Sequence, residues 1–113
     1  MAWGLLILVA LLAPASPAQS GASNFTLVNG TGGALSELSI RRAGTEDWKP
    51  LGSAPAVGGR TPISFSNPDC AFDIRATVPG AGPVTWAGVN LCDVKSVTLK
   101  RDESAGAWVD YDQ

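Results

Sequence analysis

The segment from Cys70 to Cys92 constrains the fold of this chain more than any other stretch. It has a cysteine at each end and the turn sequence PGAGP, residues 79–83, in its middle. From Cys70 to Val78 apolar residues take every second position, which is the period of a strand with one face in a core. Residues 84–89 form a second apolar stretch after the turn. The segment therefore predicts a β-hairpin closed by a Cys70–Cys92 disulfide, with two unpaired buried thiols as the alternative.

The alternation also predicts which side chains of the first hairpin strand face the core. The inward set is Cys70, Phe72, Ile74, Ala76 and Val78, and the outward set is Ala71, Asp73, Arg75 and Thr77. Asp73 and Arg75 are neighbours on the outward side, so we expect a structural ion pair between them, worth about 0–1 kcal/mol. On the returning strand, Trp86 is predicted to pack beside the disulfide.

The start of the chain predicts export. Residues 3–12, WGLLILVALL, are an uninterrupted apolar run of ten. A bilayer span needs about 20 such residues, so the run is typical of a signal peptide, although no Lys or Arg precedes it. We expect a signal peptide at residues 1–18, or cleavage after Ala15 instead, then a single domain at 19–113 and a periplasmic or secreted location, where the disulfide can form. The alternative is an uncleaved anchor or a buried segment of the fold.

Short alternating segments separated by Gly, Pro and Asn turns fill the rest of the chain. They predict further strands at residues 24–29, 34–42, 61–66, 94–100 and 107–111. With the hairpin this makes about seven short strands and no amphipathic helix, which indicates an all-β fold, a small antiparallel β-sandwich. Leu35 is out of phase with Leu38 and Ile40, which suggests a bulge or a late strand start. Pro62 suggests that its strand lies at a sheet edge.

Two polar motifs near strand ends are interpreted as structural. Glycosylation sequons occur at Asn24 and Asn29, and we regard them as incidental, because residues 29–33, NGTGG, already predict a tight turn. Arg41 and Arg42 are interpreted as a solvated strand end.

The side-chain repertoire argues against several function classes. The chain has no histidine, which removes the commonest general base and the commonest metal ligand. Charged residues make up 16% of the chain and the formal net charge is −2, so the composition offers no basic face to nucleic acid or to an anionic membrane. We therefore expect no cofactor, no nucleic-acid partner and no stable membrane insertion after signal cleavage.

The order of several short motifs resembles a family of small exported bacterial β-proteins that are mostly uncharacterised. The matching pieces, between residue 24 and about residue 100, are Asn29–Gly32 (N-x-T-G), Trp48–Gly52, Ile63–Phe65, Cys70–Arg75 (C-x-Φ-D-Φ-R), Trp86 and Leu91–Val94 (Φ-C-x-V). The resemblance implies a sandwich-like fold and a periplasmic or secreted location, and it implies no activity. Some members carry the label argininosuccinate lyase, which does not fit this chain because that enzyme is large and mostly helical.

We interpret the chain as a non-catalytic binding or interaction module, monomeric, whose partner is an envelope protein or a glycan. Trp48 and Trp108 are the candidate interaction surface, and a role of Trp48 as a lid over the core edge is the alternative. A second hypothesis is a hydrolase or a calcium-binding domain. It would use Asp69, Asp73 and Asp93, whose carboxylates lie near the ends of the hairpin and could converge.

Overall fold

The computed structural model describes residues 21–112, so the predicted signal peptide at 1–18 and both ends of the predicted domain lie outside the described residues. The described part contains eight strands: β1 Phe25–Asn29, β2 Ser36–Arg42, β3 Lys49–Pro50, β4 Arg60–Ile63, β5 Ala71–Val78, β6 Gly82–Asn90, β7 Ser96–Asp102 and β8 Gly106–Asp112. Within residues 21–112 there is no helix long and apolar enough to span a bilayer.

The strands form two four-stranded sheets. Sheet I has the order β4-β1-β7-β8, and sheet II has the order β3-β2-β5-β6. The predicted all-β sandwich is thereby confirmed, with two differences. The two-residue strand β3 brings the number of strands to eight instead of about seven, because such a short strand has no alternation to detect. The β1–β7 pair is parallel, unlike the other pairs; a parallel pair needs a long crossover connection, and here strands β2 to β6 supply it.

The core lies between the sheets and receives side chains from both. The largest fully buried apolar side chains are Leu27, Val97 and Leu99 from sheet I, Phe72, Ile74, Trp86 and Val89 from sheet II, and Leu91 from the segment after β6. The Trp86 indole N–H donates a hydrogen bond to the Lys100 carbonyl at 2.8 Å, and this bond connects the two sheets.

The prediction for Trp86 needs a correction. Trp86 pairs opposite Ile74. Ile74 lies roughly 13 Å along β5 from Cys70, because each strand residue rises about 3.3 Å. Trp86 therefore stands in the middle of the sandwich and not beside the disulfide.

The disulfide joins Cys70, just before β5, to Cys92, just after β6, as predicted. The Leu91 N–H donates to the Cys70 carbonyl at 2.9 Å, so a hydrogen bond accompanies the covalent closure. Cys70 itself is exposed, whereas it was expected to face the core. It precedes the strand, where the alternation of β5 does not yet apply. A disulfide in a small β-domain is compatible with an extracellular location.

Sheet II contains two bulges, while the ladders of sheet I run without a register shift. The first lies between Ser36 and Ser39 of β2, which confirms the irregularity suggested by Leu35. The second lies in β6, where Ala87 and Gly88 together face Asp73 of β5. Gly88 has a φ of 66°, a left-handed conformation that glycine adopts without strain.

The buried Asn29 clamps two loops at the end of β1. Its side-chain amide donates to the Gly33 carbonyl at 2.9 Å and to the Pro55 carbonyl at 3.2 Å. Its side-chain oxygen accepts the Thr31 N–H at 3.1 Å, which closes the predicted turn. The edge position expected for Pro62 is confirmed, because β4 is an outer strand of sheet I.

Candidate functional site

The outer face of sheet II carries the densest arrangement of polar and aromatic side chains. Cross-strand register places Arg41 of β2 opposite Asp73 of β5, and Ser39 opposite Arg75. Ile40 and Ile74, which alternate with these residues, are buried in the core. The polar side chains therefore point away from the core on the same surface.

Asp73 is bonded to β2 and β6 and not to Arg75. Its Oδ2 lies 2.8 Å from Nε of Arg41, and its Oδ1 accepts the Gly88 N–H at 3.0 Å. The predicted Asp73–Arg75 ion pair is therefore wrong. A directly opposite cross-strand neighbour is about 5 Å away between Cβ atoms. The second residue along one strand is about 6.6 Å away.

The Asp73 carboxylate is a structural anion. Although only 6% of Asp73 is exposed, its carboxylate accepts hydrogen bonds from two donors, the Arg41 guanidinium and the Gly88 N–H. Burial alone would raise its pKa, but the Gly88 N–H and the Arg41 guanidinium outweigh burial and hold the pKa below its usual range. A carboxyl that stays ionised in this way suits a fixed ion pair better than a general acid, which needs a raised pKa.

Trp48 lies over the arginines of this face. The guanidinium carbon of Arg75 is 3.9 Å from the centroid of the Trp48 ring, and that of Arg41 is 4.5 Å away. These are cation–π distances. Trp48 is half-buried and covers the outer face of sheet II, so it is not a lid over the core edge.

A shallow groove of about 470 Å³ runs beside the Trp48–Arg75 stack. We call it the Trp48 groove; Glu37, Ser39, Trp48, Pro50, Arg75, Thr77 and Pro83 are among its lining residues. Glu37 has a φ of 53°, which is uncommon for a residue with a side chain, and its carboxylate accepts the Thr77 hydroxyl at 2.7 Å. The first bulge therefore places a fixed carboxylate in the groove.

Arg75 differs from Arg41 in its ionic partners. Arg41 contacts the carboxylates of Asp73 and Glu46. In the part of the chain that the structure describes, Arg75 makes no salt bridge. The Arg75 guanidinium carries five N–H donors and lies over the Trp48 ring without a carboxylate partner in the described residues, so it retains donors for an external acceptor.

Trp108 does not share this surface. It lies in β8 of sheet I, between Ala107 and Val109, which both pack against the core, so its own side chain points outward from sheet I. With 41% exposure it is accessible to solvent. Trp48 and Trp108 therefore do not form one joint surface, because the two rings lie on the outer faces of opposite sheets; an interaction role of either residue stays a prediction.

The three aspartates of the second hypothesis have separate roles. Asp69 pairs with Arg42 at 2.9 Å, Asp73 holds the bulge, and Asp93 is an exposed residue with a φ of 60° in the segment after β6. Across residues 21–112, no three His, Cys, Asp or Glu side chains are grouped closely enough to hold a metal ion.

A second depression, of about 270 Å³, opens at the edge of the sandwich. Its apolar floor includes Ile40, Phe65 and Phe72, and its rim includes Arg42 and Lys49. Both rim cations already have carboxylate partners, Asp69 and Asp47 respectively. The rim therefore offers less free charge than the Trp48 groove.

Sequence reasoning did not identify Arg41 and Glu37 as members of the site. Arg41 alternates with Leu38 and Ile40, which marks it as outward-facing, but its partner depends on which strand lies beside β2. The out-of-phase Leu35 indicated the bulge, without showing that Glu37 would point into a groove.

The fold and the groove define a small two-sheet β-sandwich with an arginine–tryptophan surface on one outer face. No protein-family model and no curated protein matches the sequence. Among solved structures, the chain is similar to an NMR structure of a protein from Eubacterium rectale. The TM-score is 0.58 and the identity 16%, over 88% of this chain and 96% of that one. At this identity the similarity shows the fold alone, and the family resemblance of the short motifs stays a prediction.

Proposed function

We propose that this chain is a non-catalytic binding module that works in the periplasm or outside the cell, as expected for the small exported β-proteins that its motifs resemble. Its binding surface is the Trp48 groove, and its partner is a component of the cell envelope, a glycan or a protein. The observation that carries the proposal is the contact of Arg75 with Trp48: Arg75 is a half-buried cation without a carboxylate partner in residues 21–112.

A binding role agrees with how the polar groups are used. The chain has no histidine, and Asp73 is held as an anion inside the sheet. Trp48 and Arg75 are preorganised by their contact, so little side-chain entropy is lost when a ligand meets them. Trp and Arg are also the residue types most enriched among energetically important binding residues.

The test is a capture experiment with matched tryptophan variants. Protein produced from the full 113-residue chain is immobilised and exposed to separated polysaccharide and protein fractions of the envelope. We expect the wild type and Trp108→Ala to retain the same component and Trp48→Ala to lose it. Equal retention by both variants, or no retention by the wild type, would overturn the proposal.

A further inference from the structure

We infer that the ligand of the Trp48 groove is an anionic polysaccharide, whose carboxylate or sulfate group binds Arg75; this inference rests on the proposed function and names its ligand class. The cation is the starting point. Arg75 lies 3.9 Å from the Trp48 ring centroid, and no salt bridge neutralises it within the described range 21–112. Its planar fork of donors matches the geometry of a carboxylate, and oxyanions of sulfate offer similar acceptors.

Hydroxyl groups flank this cation in the sheet. Arg75 pairs with Ser39 on one side and with Thr85 on the other, so the three side chains form one row across β2, β5 and β6. Side chains of directly paired residues lie on the same face and about 5 Å apart. An oxyanion bound by Arg75 can therefore also accept hydrogen bonds from the neighbouring hydroxyls.

The other lining residues suit a sugar ring. Trp48 and the prolines Pro50 and Pro83 offer flat apolar surface, and Glu37 supplies a carboxylate that can accept hydrogen bonds from sugar hydroxyls. The groove is shallow and open to solvent, so a sugar unit of a longer chain can enter it from outside.

An acidic peptide is a weaker candidate because the groove lies on the face of a sheet. A peptide that joins a sheet does so along an edge, where backbone N–H and C=O groups are free. The backbone groups of β2 and β5 are used in the ladders of sheet II. A ligand on this face is therefore recognised by side chains, so a peptide would lack the main-chain hydrogen bonds that give an added strand its affinity.

The formal net charge of the protein is −2, so a polyanion is not attracted by the protein as a whole. Binding must then depend on the local cation Arg75, because Lys49, which also lines the groove, is paired with Asp47. This gives a sharp test, because arginines elsewhere on the surface should contribute little. Arg60 in β4 is a matched control, since it is exposed, lies on sheet I and has no salt bridge within the described part of the chain.

The experiment is affinity electrophoresis of the full chain in native gels that contain one immobilised polymer each. The polymers are polygalacturonate for carboxylate, dextran sulfate for sulfate, neutral dextran, and polyglutamate as the acidic peptide. We expect retardation by polygalacturonate or dextran sulfate and none by neutral dextran, and the stronger of the two identifies the anionic group. Added salt should weaken the retardation, because an ion pair at an exposed site is screened.

The variants assign the effect to Arg75. Arg75→Gln should weaken binding by about tenfold or more, the usual loss for a hydrogen bond to a charged group. Arg75→Lys should be intermediate, because it keeps the charge and loses the planar fork. Arg60→Gln should remain within about twofold of the wild type, and all three should melt near the wild-type temperature.

Each remaining outcome separates the inference from the proposed function. Retardation by neutral dextran to the same extent, or by polyglutamate alone, would overturn the anionic polysaccharide and leave a binding module. Equal losses in Arg75→Gln and Arg60→Gln would mean unspecific charge attraction and would also overturn the inference. No retardation by any polymer overturns it too, and the capture experiment with Trp48→Ala then decides the proposed function separately.

Discussion

Sheet I and sheet II have four strands each and share one core, yet their ladders differ. The seven-residue pairing of β7 with β8 runs without a shift, as do the pairings of β1 with β4 and β7. In sheet II, β2 and β6 each contain a bulge against β5. Bulges re-aim side chains and free backbone groups from the ladder.

The difference teaches how the groove is built. The bulge of β6 frees the Gly88 N–H, which donates to Asp73. Asp73 in turn pairs with Arg41, whose guanidinium carbon lies 4.5 Å from the centroid of the Trp48 ring. The bulge of β2 places Glu37 in the groove. Sheet I, with its regular ladders, contributes core residues and an outer face on which Trp108 has no such network among residues 21–112. The regular sheet supports the fold, and the irregular sheet displays the polar surface.

The largest effect is expected where the two sheets meet. Trp86→Ala should lower the free energy of unfolding by about 3–5 kcal/mol, because it removes a fully buried indole from the shared core. Denaturant unfolding measures the loss, and amide exchange in β1 and β5 shows whether both sheets lose protection together. Trp86→Phe is the control, because it keeps most of the apolar volume and loses the bond to Lys100. Unchanged protection in β1 would mean that the sheets are not one cooperative unit.

Loss of the disulfide should affect sheet II more than sheet I. Replacing Cys70 and Cys92 by alanine should reduce stability by roughly 3 kcal/mol in the chain-entropy account, which lowers the melting temperature by several degrees or more. Calorimetry measures this, and amide exchange should show β5 and β6 opening before β1 and β7. An unchanged melting temperature, or a first loss in sheet I, would contradict the view that the bulged sheet depends on its covalent closure.

Asp73→Asn tests the ionic support of the groove. The variant should lose about 1–3 kcal/mol at neutral pH, because a hydrogen bond to a charged group is lost inside the sheet. Asp69→Asn, which removes the exposed pair with Arg42, is the matched control and should cost less than about 1 kcal/mol.

The same variant should change the pH dependence of stability. Asp73 has a folded-state pKa below its unfolded value, so its contribution is complete at neutral pH and is lost in acid, as the pH falls through the lowered folded-state pKa. Thermal melts between pH 7 and pH 2 should show a shallower acid decline for Asp73→Asn. Some decline should remain, because the N–H groups of Ser104 and Ala105 also lower the pKa of Asp102. Parallel curves for wild type and variant would show that Asp73 is not held as an anion.

The smallest effects should come from the two outer tryptophans, and they should be unequal. Trp48→Ala should cost about 1 kcal/mol, because it removes the ring that lies over Arg41 and Arg75. Trp108→Ala should stay within about 0.5 kcal/mol, as usual for an exposed residue. Fluorescence offers a second measurement, since acrylamide should quench Trp108 readily and Trp86 hardly at all. Equal costs for both alanine variants would remove the contrast between the outer faces.

Much of the fold could be predicted from local patterns. The alternation from Phe72 to Val78 located β5, the cysteine pair located the disulfide, and Leu35 indicated the first bulge. The strand and the bulge depend on residues close together in the sequence, and the disulfide has one possible pairing because the chain has two cysteines. The parallel β1–β7 pair has no local signal, because it depends on how the chain crosses between sheets.

The candidate site was predicted in part. Asp73, Arg75 and Trp48 were identified, but their contacts were assigned wrongly. The partner of Asp73 follows from the β2–β5 register, which brings Arg41 across the sheet from 32 residues away. Whether Trp48 and Trp108 share a surface depends on which sheet each ring lies on and which face it covers, and the sequence does not give the strand order that decides this. Residue type could thus indicate the site, and only long-range register could assemble it.

The clamp at Asn29 affects the choice of an expression host. The Asn29-Gly30-Thr31 sequence satisfies the rule for N-glycan attachment, yet the amide nitrogen that would carry the sugar is buried and bound to Gly33 and Pro55 in the folded chain. In a secretory pathway that attaches N-glycans, glycosylation of Asn29 would therefore compete with folding. A sugar on this side chain cannot fit between the loops that contain Gly33 and Pro55. Molecules that fold first would carry sugar only at the exposed Asn24. Production in a bacterial host that does not attach N-glycans avoids this competition at Asn29.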